Sequence, residues 1–141
     1  MYDFVFNFHS GWRFLVLLAL AVNVIYFGYA LATKSKQPKR DKLVSTLFAV
    51  SVDIQITLGI ILLIIVIIDG NFDAGRHFGH FMPMLLAAPV AHAYTIFGKA
   101  VKNQATVEKY QRLVGLLAPI IVLILVMGGL ASLELGLFQM S

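Results

Sequence analysis

Four histidines and a few polar residues set among long apolar stretches are the groups in this chain that could do chemistry. One set opens two of the apolar segments. His9-Ser10-Gly11-Trp12-Arg13 leads into the first, and Arg76-His77-Phe78-Gly79-His80 leads into the third. On helices, residues four apart share a face, so Arg13 belongs with His9 and Arg76 with His80. Two imidazoles facing each other across a helical bundle are the axial ligands that a six-coordinate b-type haem requires, with helix side chains forming the pocket walls. The two arginines would pair with its propionates. Gly11 and Gly79 would let a flat macrocycle approach the backbone. His9 and His80 are therefore the candidate metal ligands and haem b the candidate cofactor. His77, Met82 and Met84 leave the choice of ligand on the third segment open.

A second set lies deeper in the apolar sequence. Asp53 stands about 11 residues from Lys42, or ~16 Å at helical rise, and Asn23 stands as far from Lys34. His92 lies about 7 residues, or ~10 Å, from Lys99. With Gln55 nearby, these residues could meet as a polar cluster inside the bundle. One reading is that a hydrogen bond from His92 neutralises Asp53 and locks the second segment to the third. The other is a proton or quinone site, or a carboxylate that orients a ligating His92.

The elements that must position these groups follow from the distribution of charge. The 141 residues are 60% hydrophobic and 13% charged, where a soluble domain carries about 25% charged residues. Four stretches are nearly free of charge, and each is close to the ~20 residues that cross a hydrocarbon core as a helix. Lipid admits only internally hydrogen-bonded spans. The sequence thus predicts a single all-α domain over residues 1–141: four transmembrane helices, at about 11–33, 44–68, 78–98 and 113–137, in an antiparallel up-down bundle. Phe4, Phe6, Phe8, Trp12 and Phe14 resemble an interfacial aromatic belt at one end of the first helix.

Nine of the 11 basic residues fall in two loops: Lys34, Lys36, Lys39, Arg40 and Lys42 in one, Lys99, Lys102, Lys109 and Arg112 in the other. The positive-inside rule places both loops in the cytoplasm and both termini on the outer side. Topology and anionic lipid headgroups then account for the net charge of +4, and nucleic acid is not an expected partner. No basic segment precedes the first span, so that helix is expected to act as its own uncleaved insertion signal.

A shift of 70 residues superposes the two halves loosely, with Gly59 falling on Gly129, Lys42 on Arg112 and His9 on Gly79, beside His80. Two tandem hairpin repeats would place His9 and His80 at similar depth. The absence of cysteine excludes disulfides, iron–sulfur clusters and thiol catalysis. No phosphate loop, H-E-x-x-H or nucleophile elbow occurs, and Ser10 beside His9 lacks a third partner, so no catalytic residue is assigned. Asp69-Gly70-Asn71-Phe72-Asp73 has part of a calcium loop's pattern but reads as a turn.

The opening His9-Ser10-Gly11-Trp12-Arg13-Phe14, then Asp41-Lys42-Leu43, Asp53-Ile54-Gln55 and Leu58-Gly59, and finally His80, Met84 and His92, resemble a family of small four-span bacterial membrane proteins loosely labelled cytochrome b-like. The resemblance spans most of the chain on short motifs. It implies helix-borne histidines at His9, His80 and His92 that face a cofactor. Asp53 stands where some members carry His, and Gly79 rather than Glu precedes His80. The expectation is an electron-transport membrane protein of the bacterial inner membrane, with haem between helices 1 and 3 near the outer face. One alternative is a haem-free accessory subunit of a larger respiratory or photosynthetic complex, or a homo-oligomer, packing through Gly28, Gly59 and Gly129. Another is a proton or small-solute path through Asp53 and His92.

Overall fold

The computed structural model describes residues 1–34 and 37–134. It contains α1 (Tyr2–Thr33), α2 (Pro38–Ile68), α3 (Ala74–Ala91), α4 (Ala93–Ala100) and α5 (Gln104–Ala131). Three spans, Tyr2–Ala32, Pro38–Ile68 and Tyr110–Ala131, are long and apolar enough to cross a membrane. The pair α3 and α4, bent by 46° at a single break, makes a fourth if it is counted as one span. The helices are apolar on their outer faces as well as inside. Leu18, Ile25, Ile64 and Ile124 each leave more than half of their surface exposed. Helices apolar all round belong in a core or in lipid, and lipid is the solvent that suits these outer faces.

The helix ends differ from those predicted. α1 begins at Tyr2 rather than near residue 11, because nothing before Trp12 breaks a helix and the aromatic side chains stack one turn apart: Tyr2 on Phe6, Phe4 on Phe8, Phe8 on Trp12. Trp12 turns inward from this aromatic run. It packs on the core and donates its indole N–H to the Ser51 carbonyl, 3.0 Å away on α2. α2 starts at Pro38, whose missing N–H costs nothing in the first turn. α5 starts at Gln104, capped by the Asn103 side chain, which accepts from the amides of Ala105 and Thr106. It ends at Ala131, short of the predicted boundary. Of the predicted features, residues 135–137, Lys36 and the side chain of Lys109 lie outside the described residues.

The third predicted span, 78–98, is two helices. It starts earlier, at Ala74, where the Asp73 side chain accepts from the Arg76 amide at 2.7 Å. It breaks at His92, three residues after Pro89. Proline has no amide to donate and its ring crowds the carbonyl four residues back, which weakens the ladder just before the break. The loop from Asp69 to Asp73 is a turn, with Gly70 at a φ of +72°.

α1 packs on α2 and α5, and α3 packs on α5 and α2. Val16, Leu20, Phe48, Val52, Ala87, Val122 and Val126 fill the space between them. The small side chains Ala49, Ala87 and Ala91 let the helices approach closely.

Candidate functional site

His9 on α1 and His80 on α3 face each other, with ring centroids 6.4 Å apart and planes at 79°. Each ring rests on a glycine of another helix in its own half of the chain. A methyl group on Gly59 would stand 3.3 Å from Cε1 of His9. On Gly129 it would stand 3.4 Å from Nδ1 of His80 and 2.7 Å from Cε of Met84. Gly59 and Gly129 are thus not outward packing positions, as the accessory-subunit reading expected. They are the clearances that admit the two imidazoles. Gly28 has open space beside it. Gly79 gives its space to Ser132, whose Cβ a methyl there would meet at 2.9 Å, so it offers no room for a macrocycle, whereas nothing crowds Gly11.

The hydrogen bonds define what each ring can do. His80 Nδ1 lies 3.0 Å from the Gly129 carbonyl oxygen. A carbonyl only accepts, so Nδ1 carries the proton, and the neutral ring keeps its lone pair on Nε2. This is the arrangement in which a histidine ligates a metal while its other nitrogen is held by the protein. His9 meets Gln55, whose Nε2 lies 3.2 Å from His9 Nε2 and 3.4 Å from Nδ1. The buried Gln55 Oε1 has no partner. A half-turn of that amide would bring Oε1 to the imidazole, where it accepts from the ring N–H and leaves the opposite nitrogen free to ligate.

Two cavities adjoin the pair. The larger, about 240 Å³, is lined by both histidines with Gln55, Arg76, His77 and Met84. The smaller, about 70 Å³, is lined by both histidines with Arg13, Gln55 and Met84. Together they reach only the lower end of the ~300–1,000 Å³ of small-molecule sites. Arg13 is buried on α1 with its guanidinium 5.4 Å from the Phe14 ring centre, while Arg76 is exposed. His77 stacks on Phe72 and its Nδ1 lies 3.0 Å from the Asp73 amide nitrogen, and Met82 is half exposed. On α3 it is therefore His80 that faces His9.

His92 does not line these cavities. It lies 12 residues beyond His80, ~18 Å along a helix, at the bend. There its Nε2 is 2.9 and 3.1 Å from the two oxygens of Asp53, the contact foreseen between the second and third segments. The wider cluster does not form. Gln55 is two positions from Asp53, a separation that puts the two side chains on different helix faces, and it turns to His9. Asn23 is buried on α1 and donates to the Val44 carbonyl at 3.4 Å. Among the described residues no group of three His, Asp or Glu side chains gathers to hold a bare metal ion.

Sequence reasoning missed a third polar group. Asp41, buried in the first turn of α2, accepts from Tyr26 Oη at 2.7 Å and from Arg112 Nε on α5 at 2.8 Å. Arg112 had been grouped with the basic loop residues. Opposite charge was the only signal in the sequence that linked it to Asp41.

No protein-family model matches this chain, and no curated protein or solved structure matches it either.

Proposed function

We propose that the chain is a four-span antiparallel membrane bundle of an electron-transport system, b-type-cytochrome-like, that holds haem b between His9 and His80. The observation that carries this reading is the pair of imidazoles 6.4 Å apart beside a cavity of about 240 Å³. Each of the two facing rings could give one nitrogen to a metal held between them. The donor set fits the group. A macrocycle brings four nitrogens of its own and needs only two from the protein, which is the number present. His80 Nε2 has its lone pair available, because Gly129 holds Nδ1. Gln55 would turn its amide to fix His9 in the same way. Arg13 and Arg76, one beside each cavity, would hold propionates. Bound there, haem would supply one-electron oxidation and reduction, with the apolar helix walls limiting access of water.

The positive-inside rule applied to the basic loops supports a site near the outer face of a bacterial inner membrane, with both termini outside. A proton path finds less support, because Asn23 and Gln55 are turned away from the Asp53–His92 pair.

The test is the visible spectrum of protein purified from haem-replete cells. The expected result is a Soret band that His9→Ala or His80→Ala abolishes and His77→Ala leaves in place. A folded but colourless preparation overturns the assignment.

A further inference from the structure

The Asp53–His92 pair lies on the outer surface of the helices, with 39% of the His92 side chain and 45% of the Asp53 side chain exposed. Both residues belong to apolar spans. Ionisable groups at that depth normally face the protein interior, because hydrocarbon offers a carboxylate no hydrogen bonds. The polarity extends along α2. Thr46 and Thr57 are exposed seven residues before and four after Asp53, on the same helix face as the half-exposed Val50. Thr57 Oγ1 donates to the Asp53 backbone carbonyl at 2.8 Å. Other exposed stripes carry no such groups: Leu15, Leu18, Val22 and Ile25 on α1, and Leu117, Ile121 and Ile124 on α5, are apolar throughout.

We infer that a second copy of this chain covers this face, through a twofold axis along the membrane normal that sets each Asp53–His92 pair against the other. Two copies inserted in the same direction hold Asp53 at the same depth, so the polar stripes meet in register. A twofold interface is self-complementary: if Asp53 of one copy contacts His92 of the other, the reverse contact follows. The pair suits that geometry because each of its residues keeps hydrogen-bonding capacity at the exposed surface. The half-exposed carboxylate has lone pairs for another donor, and the imidazole, bonded through Nε2, keeps Nδ1 for a further hydrogen bond. The exposed Thr46 and Thr57 hydroxyls supply the interhelical hydrogen bonds common at membrane helix contacts. The inference needs the membrane setting but not the haem, so either can fail without the other.

The chain has no cysteine, which makes the test clean. Val50→Cys and Thr57→Cys place a single thiol on this face, and Ile25→Cys and Ile124→Cys place one on the apolar faces. Mild oxidation of native membranes should give disulfide-linked homodimers several-fold more readily at residues 50 and 57 than at 25 and 124. Adding Asp53→Leu to Thr57→Cys should reduce that yield. Equal yields at all four positions, monomer alone at 50 and 57, or an adduct of any mass other than twice the chain would overturn the inference. The comparison of the four single-thiol proteins stands even if the Asp53 variant does not fold.

Discussion

Asp41, Tyr26 and Arg112 lie toward the Lys-rich ends of their helices, and His9 and His80 lie toward the opposite end. In the first group the carboxylate receives a hydroxyl and a guanidinium, both under 3 Å away, and is almost wholly withdrawn from the surface. In the second, His80 keeps an open lone pair, Gln55 Oε1 has no partner, and two cavities lie alongside. A closed polar group ties helices together, and here it joins α1, α2 and α5. An incomplete one beside a cavity is where a ligand would supply the missing partners.

The largest expected effect comes from opening the closed group. Asp41→Ala would strand Arg112 and should lower stability by about 3–5 kcal/mol, the usual result of removing one partner of a buried pair. Denaturant unfolding in detergent measures it. Replacing both residues together, Asp41→Leu with Arg112→Met, should cost clearly less, since no charge is left alone. If the single and double variants were equally unstable, the group would matter for its shape and not for its pairing.

A smaller effect separates the two halves of the histidine site. Gly129→Ala should cost about 1–3 kcal/mol by overpacking. Its methyl would meet the backbone carbonyl of His80 at 3.1 Å as well as Met84, and backbone cannot step aside. Gly59→Ala should cost less, because its methyl meets only the His9 ring, at 3.3 Å, and a ring can tilt into the adjacent cavity. Thermal unfolding of the two variants ranks them. The reverse order would mean that His9 is held more rigidly than His80.

Much of this arrangement was legible in the sequence. Gaps between charges located the long helices, and the internal shift of 70 residues set His9 on Gly79, beside His80. The helix ends were not legible, because aromatic residues and Pro38 suit a first turn as well as a loop. Nor was the bend at His92, since proline is tolerated inside membrane helices with or without a break. The polar residues were sorted by depth, which groups Asp53 with Gln55. A helix sorts them by face, and two positions send Asp53 to His92 and Gln55 to His9. Asp41 and Arg112, 71 residues apart, carried only the signal of opposite charge.

Trp12 is the sole tryptophan, and its indole is held against Ser51 one helical turn from His9. Its emission therefore reports on the histidine site with no label added. A strongly absorbing group seated at His9 would darken it by energy transfer, and an empty site would leave it bright. Loading of the purified protein in liposomes could then be followed by fluorescence titration, where light scattering obscures absorbance.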